Sequence, residues 1–367
     1  LGVVLRSIAA FLSSVSPSFV VKIVGALLLF ATQLILTNFL GAERFGIYTY
    51  ILGWAIFLGS VASSGFHLPI IRFSTFYIQS GSLLAWKKLT QLSYQSTTVL
   101  ALCVTSLFIT WFIMTTEVDK RSDISLVFVV LLVLPVAIMQ INKSFLFSLG
   151  KPALGMSFDL VFRPAMTVFG IGFLLFFNSE IDFFLLLCIT ALAYSVAAGS
   201  SILSLHRSKP MIGGDENTIC IKDWFFAFYP FCFISLGELA LSRAEILILG
   251  ALSSFSDLAI YAVAMWVASC ATLFTNAVDA FLSAGYSREI NNGNNYLVQK
   301  KLNKTTAFSF ILLIPFFLLS LFFGEFVLGL FGSEFKSGYT ALQLLLIGQL
   351  FLVCNGPIGM LLGLSDR

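Results

Sequence analysis

The sequence predicts an all-α integral membrane protein with about ten transmembrane helices, arranged as two parallel-related helical bundles around a central cavity. Three observations predict this fold: an apolar composition, a series of apolar spans separated by short polar segments, and a repeated motif. Of the 367 residues, 58% are hydrophobic and only 11% are charged, whereas soluble domains carry about 25% charged residues. This chain therefore has too few charged side chains to cover a surface that faces water.

The apolar spans follow from the thickness of the bilayer. A hydrocarbon core about 30 Å thick needs about 20 apolar residues per helix. Read with that length, the sequence contains ten candidate spans, at about 20–39, 45–66, 95–114, 124–147, 157–177, 182–205, 224–250, 255–278, 306–323 and 339–363. Segments 8–19 and 67–92 are more amphipathic, and we expect them to lie on the membrane surface.

The distribution of Lys and Arg predicts the orientation, because cytoplasmic loops are enriched in these residues. With the N-terminus in the cytoplasm, the inner loops and span ends hold fourteen of them and the outer loops hold four. The four outer residues are Arg44, Lys120, Arg121 and Lys336. We therefore expect a multi-pass protein whose N-terminus is cytoplasmic.

A motif recurs in the two halves of the chain. Phe45-Gly-Ile-Tyr-Thr-Tyr50 is matched 213 positions later by Leu258-Ala-Ile-Tyr-Ala-Val263. The same offset carries Leu149-Gly150 to Leu362-Gly363. Repeats of this kind in transporters mark two halves that face a shared site.

The repeat and the span order predict the domain organisation. Residues 1–205 form an N-terminal six-helix bundle, 206–223 a cytoplasmic linker, and 224–367 a C-terminal bundle with four helices present. Because six spans precede the linker, both halves enter the membrane from the same side and are parallel repeats. Adding the repeat offset to the end of span six predicts about two further helices in the second bundle.

Charged side chains inside the spans are the candidate functional residues. A charge at the bilayer centre costs about 2.5–3.5 kcal/mol and usually faces a bundle interior or a water-filled cavity. Lys22 lies one turn inside span one, where it either reaches the inner interface or lines the inner mouth of the cavity. Asp159 and Arg163 are four residues apart on one helix face. They form a local ion pair, or Arg163 is directed at a phosphate group.

Span seven carries Glu238, Arg243 and Glu245. The two glutamates share a face, while Arg243 is rotated about 140° from Glu238. Counting rise per residue places Arg163 in the inner half of the membrane and Arg243 in the outer half, which predicts two cationic stations for an anionic lipid headgroup. Glu238, Glu245 and Asp159 are candidates for coupling to an ion or a proton.

Prolines inside the spans are candidate hinges. Pro164 directly follows Arg163 in span five, and Pro230 lies in span seven. An interior proline removes a backbone hydrogen bond and kinks the helix, which membrane proteins tolerate where neighbouring groups satisfy the freed carbonyl. Each kink allows bending during transport, or it is a packing feature without motion.

The sequence lacks the motifs of an enzyme. It contains no phosphate-binding Walker A motif, no nucleophile elbow and no spacing of His, Cys or carboxylate residues typical of a metal site. The outer loops are too short to hold a membrane glycosyl polymerase or ligase site. We therefore expect no catalytic residue, no cofactor and no metal, and the absence of basic runs excludes nucleic acid as a partner.

Four stretches carry a resemblance to a known family. They are Asn38-Phe-Leu-Gly-Ala-Glu-Arg-Phe-Gly-Ile-Tyr-Thr-Tyr50, Leu149-Gly-Lys-Pro152 followed by Arg163-Pro164, Arg243-Ala-Glu-Ile-Leu-Ile-Leu-Gly250 leading to Asp257-Leu-Ala-Ile-Tyr-Ala-Val-Ala264, and Leu330-Phe-Gly-Ser-Glu-Phe335. In order and spacing the chain resembles the Wzx-type O-antigen and capsule flippases of the multidrug/oligosaccharidyl-lipid/polysaccharide exporter superfamily. Members of that branch typically have twelve or more spans.

The resemblance implies a function. It implies a bacterial inner-membrane flippase that moves undecaprenyl-diphosphate-linked oligosaccharide repeat units for polysaccharide biosynthesis, by alternating access of two bundles. The implied partners are this lipid-linked oligosaccharide, membrane lipid, and a polysaccharide polymerase with its chain-length protein. Arg163, Arg243 and Lys22 are the cavity cations expected to bind the substrate. The alternatives are a drug or small-solute exporter of the same superfamily, and a non-transporting membrane partner of a polysaccharide assembly complex.

Overall fold

The computed structural model describes residues 17–115, 120–177, 182–209, 221–270 and 295–354, and their regular structure is helical throughout. In these ranges seven helices are long and apolar enough to cross a membrane, which makes the chain a multi-pass membrane protein. The helices are α1 (Pro17–Ser63), α2 (His67–Gln79), α3 (Leu83–Thr115), α4 (Lys120–Ser148), α5 (Pro152–Ser157), α6 (Arg163–Phe177), α7 (Phe183–Arg207), α8 (Ile221–Leu252), α9 (Phe255–Cys270), α10 (Asn295–Leu330) and α11 (Tyr339–Cys354). The predicted all-α membrane class is confirmed.

Helix α1 contains the first two predicted spans in one helical run of 47 residues. The run is interrupted at Gly41, whose backbone is non-helical with φ 71° and ψ 174°. Glycine adopts a positive φ without the steric cost that a Cβ atom brings. The predicted boundary between the spans 20–39 and 45–66 is therefore a break between two helical segments that follow each other directly.

The structure divides the predicted surface segment 67–92 between two helices, and its position on the membrane stays a prediction. Helix α2 is a separate helix of 13 residues, and a turn at Gly81 with φ 76° follows it. From Leu83 onward, however, the chain already belongs to the long helix α3. Trp86 and Leu89 of this part are 2% and 0% exposed because they pack into the protein core. Segment 8–16 and the ends of the predicted spans 255–278 and 339–363 lie outside the described residues.

The chain divides into two compact units. The larger unit comprises Leu27–Thr32 and Glu43–Leu258, and the smaller unit comprises Leu1–Ala26, Gln33–Ala42 and Ala259–Arg367. The predicted division into 1–205, 206–223 and 224–367 follows the linear order of the spans and stays a prediction.

The core of the larger unit includes a cluster that joins α2, α3, α4 and α7. It contains Phe66, Ile70, Tyr77, Ala85, Trp86, Leu89, Ile141, Phe145, Leu146 and Leu205. Trp86 donates from Nε1 to the hydroxyl of Ser74 at 2.9 Å, and the hydroxyls of Ser74 and Ser148 are 2.6 Å apart. Because these polar groups find partners across three helices, the indole N–H and both hydroxyls are satisfied within the core.

Asn142 fixes the register of three helices. Its side chain is fully buried, accepts a hydrogen bond from the hydroxyl of Tyr94 on α3, and donates to the hydroxyl of Ser201 on α7 at 2.7 Å. Interhelical hydrogen bonds in membranes contribute about 0.6 kcal/mol on average. The network therefore specifies how α4 sits against its neighbours, and with it the position of the next residue, Lys143.

In the smaller unit, the first part of α1 contacts the loop after α10. The Asn38 amide donates to the Leu330 carbonyl at 3.0 Å, and the Glu334 carboxylate accepts the Ala42 backbone N–H at 3.1 Å. Glu334 lies in a 3₁₀ turn, Ser333–Gly338, that leads into α11. Two of the four stretches that carry the family resemblance therefore contact each other.

Candidate functional site

A cavity of about 130 Å³ lies within the larger unit. Its charged and polar lining consists of Gln140, Lys143, Asp159, Arg163, Tyr194 and Arg243. The remaining lining residues are Ile56, Val136, Met139, Gly155 and Phe158. Three cationic side chains and one carboxylate face the cavity, so its formal charge at neutral pH is +2.

An irregular helical turn positions Arg163. Residues Phe158–Phe162 form a π-helical turn, and the Arg163 N–H bonds to the Phe158 carbonyl, five residues back. Pro164 follows and is buried. It has no N–H to donate, so a regular α-helix would leave a carbonyl unpaired here. π-Helical turns occur frequently at functional sites, and this one departs from regular helix where Pro164 predicts a kink. A hinge role for Pro164 stays a prediction.

Arg163 is held by two partners. Its Nε donates to a carboxylate oxygen of Asp159 at 3.1 Å, and its guanidinium carbon lies 4.8 Å from the centre of the Tyr194 ring. The Arg163 side chain is 16% exposed and that of Asp159 is 49% exposed. The ion pair predicted from the four-residue spacing is thus confirmed. The aromatic face adds a cation–π contact that orients the guanidinium plane.

Arg243 lines the same cavity and is half-buried. Among the residues that the structure describes, no carboxylate forms an ion pair with it and no hydrogen bond fixes its guanidinium. It lies within electrostatic range of Asp159, Tyr194 and the like-charged Arg163. An anion entering the cavity would thus meet one guanidinium already paired and one available.

Lys143 supplies the third cation, and the sequence did not single it out. It is half-buried, and its ammonium lies 5.9 Å from the centre of the Phe147 ring. Its neighbour Ser144 bonds Nδ1 of His67 at 2.6 Å, which ties this part of α4 to the start of α2. Sequence reasoning assigned Lys143 to the inner end of a span, because a lysine near a span end normally reaches toward the interface.

The other predicted site residues are not among the described residues that line this cavity. Lys22 is half-buried in α1 and belongs to the smaller unit. Glu238 and Glu245 are exposed on α8 and do not line the cavity. Pro230 lies in α8, and its side chain is outside the described part of that helix. The proposed coupling and hinge roles of these residues stay predictions.

The two residues of the predicted cationic stations share one cavity, and their depths in the membrane stay a prediction. The depth estimate assumed straight helices with a constant rise per residue. The π-helical turn just before Arg163 departs from that constant rise, so counting residues alone does not give the depth of Arg163. Tyr194, which contacts Arg163, carried no signal in the sequence, because an aromatic residue in an apolar span resembles any core residue.

The chemistry of the cavity favours anion binding. Arginine donates several hydrogen bonds in a planar arrangement that matches carboxylate and phosphate oxygens, and lysine adds a point charge. Within the described ranges, no three His, Cys, Asp or Glu side chains come close enough to bind a metal ion.

Comparisons with known proteins identify the fold. Residues 230–364 match the MatE family model, and a comparison with curated protein sequences finds no match. A structure described as the inward-facing conformation of a multidrug resistance MATE family transporter of the MOP superfamily is similar with a TM-score of 0.67 at 13% identity. That alignment covers 92% of this chain and 80% of that one.

Two further structures show the same similarity. The outward-facing conformation of a multidrug resistance MATE family transporter aligns with a TM-score of 0.59 at 13% identity, over 95% of this chain and 80% of that one. A crystal structure of MATE in the bent conformation aligns with a TM-score of 0.57 at 14% identity, over 97% and 80%. The chain therefore has the two-bundle helical fold of MATE transporters.

Proposed function

We propose that the chain is a transporter, not an enzyme, that flips lipid-linked oligosaccharides across the bacterial inner membrane with its N-terminus in the cytoplasm. The substrate class is an undecaprenyl-diphosphate-linked repeat unit for O-antigen or capsule synthesis. Three observations support the proposal: the MATE transporter fold, the order of the four sequence stretches, and the cationic cavity. A polysaccharide polymerase and its chain-length protein are the proposed partners in the same membrane.

The cavity is the observation that carries the proposal. A half-buried guanidinium without a carboxylate partner is unfavourable in an apolar surrounding, because no ion pair compensates for its lost hydration. A diphosphate would supply the missing negative charge to Arg243 and Lys143. The oligosaccharide and the polyprenyl chain would then extend from this anchored headgroup.

The remaining charged residues are assigned supporting roles in this proposal. Lys22 would attract the diphosphate at the entrance of the transport path. Glu238, Glu245 and Asp159 are the candidates for coupling transport to an ion or a proton. Pro164 and Pro230 would allow α6 and α8 to bend as the two bundles alternate their access to the two sides of the membrane.

The main alternative is export of a drug or another small solute. It draws support from the structural neighbours, two of which are described as multidrug resistance transporters. A cationic drug would need an excess of carboxylates in its site, whereas cations outnumber carboxylates three to one here. The third alternative is a non-transporting membrane partner of a polysaccharide assembly complex. Such a partner would not need an anion-binding cavity.

Complementation tests the proposed function. The gene is introduced into a bacterial strain that lacks its own flippase, and the surface glycan is measured by gel electrophoresis of the extracted polysaccharide. We expect surface glycan to return while drug resistance stays unchanged. Restored drug resistance without surface glycan would favour the exporter, and neither effect would favour the non-transporting partner.

Asp159 competes with the substrate for Arg163 in this proposal. Replacing Asp159 by asparagine removes the internal partner, so we expect the affinity for a soluble prenyl diphosphate to rise about tenfold, a change of about 1.4 kcal/mol. Asp159→Glu should stay near the wild-type affinity. Binding to the purified protein is measured by calorimetry. An unchanged or weaker affinity in Asp159→Asn, with the thermal stability preserved, would show that the pair does not limit anion binding.

A further inference from the structure

One end of the larger unit is strongly cationic, and its exposed basic side chains are not among the residues that line the anion cavity. It carries six exposed basic side chains: Arg72, Lys87, Lys88, Lys151, Arg207 and Lys209. The segments that supply them, 67–92, 140–152 and 198–209, contain no Asp or Glu. No acidic side chain within these segments therefore neutralises their basic side chains.

The core cluster holds these cations together at one end. Ile70, Trp86, Leu146 and Leu205 pack in that cluster, and each lies within a few residues of one of the basic side chains. The Lys151 ammonium also donates to the Ser208 hydroxyl at 3.0 Å, which joins the turn after α4 to the end of α7. The packing thus brings the basic side chains of three separate segments onto one surface, which we call the basic end.

Helix α2 adds an apolar stripe to the basic end. Leu68, Arg72 and Phe76 are spaced by four residues and so share one helix face. Leu68 is 45% exposed and Phe76 is 59% exposed, while Ile70 and Tyr77 on the other side are buried. With 13 residues, α2 is too short to cross a bilayer. An amphipathic helix with exposed large apolar residues beside cations is typical of a segment that lies in the membrane interface.

We propose that the basic end binds the anionic phospholipid headgroups of the leaflet that it faces. Leu68 and Phe76 would insert at the boundary of the acyl chains, and the six cations would bind headgroup phosphates. The charge complementarity is specific to anionic lipid, because clustered Lys and Arg beside a membrane attract negatively charged headgroups and not zwitterionic ones. This surface is distinct from the cavity residues, so the lipid interaction does not depend on the transported substrate.

Thermal stability of the purified full chain in a neutral detergent tests the proposal. Phosphatidylglycerol is expected to raise the midpoint of unfolding by about 2–4 °C, whereas phosphatidylcholine has no effect. In Lys87→Gln/Lys88→Gln this gain should be lost. In the matched control Arg44→Gln/Lys336→Gln, which removes two exposed cations elsewhere, it should be retained. The gain should also fall in 0.5 M salt, because surface charges are screened.

Three outcomes would overturn the proposal. Equal stabilisation by phosphatidylcholine would show that the lipid effect is not electrostatic. If both double variants lost the stabilisation by phosphatidylglycerol equally, the effect would depend on the net charge of the protein and not on the basic end. The same gain from free inorganic pyrophosphate, lost in Lys87→Gln/Lys88→Gln, would show that a small anion suffices at the basic end without a lipid. Because no arm of the experiment uses the transported substrate, a failure of the proposed flippase function would leave these results interpretable.

Discussion

Replacing Arg243 by glutamine is expected to abolish the return of surface glycan and to weaken the binding of a prenyl diphosphate at least tenfold. Arg243 is the cavity arginine that no carboxylate neutralises among the described residues, so its charge is the one most available to the substrate. Truncating one partner of a buried charge pair costs about 2–5 kcal/mol, which corresponds to more than a tenfold loss of affinity.

Two further variants separate charge from geometry at this position. Arg243→Lys keeps the charge but loses the planar donor arrangement, so we expect partial activity. Arg44→Gln makes the same substitution at an exposed arginine outside the cavity and should leave transport intact. Surface glycan and calorimetric binding are measured for all three. Wild-type transport by Arg243→Gln, at equal protein levels, would remove Arg243 from the substrate site.

Replacing Gly46 by alanine is expected to prevent correct folding. A Cβ atom at Gly46 would lie 1.8 Å from the backbone carbonyl oxygen of Phe255, and backbone cannot move aside as a flexible side chain can. The opposing Gly250 is similarly enclosed, since a Cβ atom there would lie 2.2 Å from the Tyr50 ring. Overpacking of a tight contact typically costs 1–3 kcal/mol, and a clash with backbone exceeds that range.

The matched control is Gly172→Ala. Gly172 also lies in a helix, α6, but a Cβ atom there meets no other atom within 4 Å. Alanine in an exposed helix is favoured over glycine by about 0.5–1 kcal/mol, so this variant should be as stable as the wild type or more stable. The monodisperse fraction and the melting temperature in detergent are compared. If both variants behave alike, the contact between α1 and the segment at Phe255 is not close in the folded protein.

The membrane fold was predictable from the sequence because span length and composition are local properties. The first two spans, the spans at 124–147 and 157–177, and the long helix at 306–323 all lie within helices of the structure. The Asp159–Arg163 ion pair was predictable for the same reason, since two residues four apart on one helix face are neighbours whatever surrounds them.

The candidate site could be predicted only in part, because it is made by packing between helices. Arg163 and Arg243 were identified as unusual charges, yet their convergence on one cavity depends on how α6 and α8 approach each other. Lys143 resembled an ordinary span end, and Tyr194 resembled an ordinary core aromatic. The segment 67–92 was predicted as one amphipathic piece, whereas the structure divides it at a turn at Gly81 and continues its second part into α3.

The motifs used for the family resemblance also have a structural explanation that the sequence alone did not give. Asn38 and Leu330 come from different stretches and are joined by a hydrogen bond. Gly46 and the Phe255 segment meet in close backbone contact, next to Tyr50 and Gly250. These residues therefore support contacts between the first and second halves of the chain, and their presence indicates the fold more directly than it indicates a substrate.

Binding of a soluble prenyl diphosphate to the purified full chain is the most direct test of the central claim, that the cationic cavity recognises a phosphate-bearing lipid. Calorimetry is performed on the wild type and on Arg163→Gln/Arg243→Gln, with the cationic dye ethidium as a competitor. The account predicts saturable binding to the wild type, loss of binding in the double variant, and no competition by ethidium. Binding of ethidium without any binding of the diphosphate would contradict it.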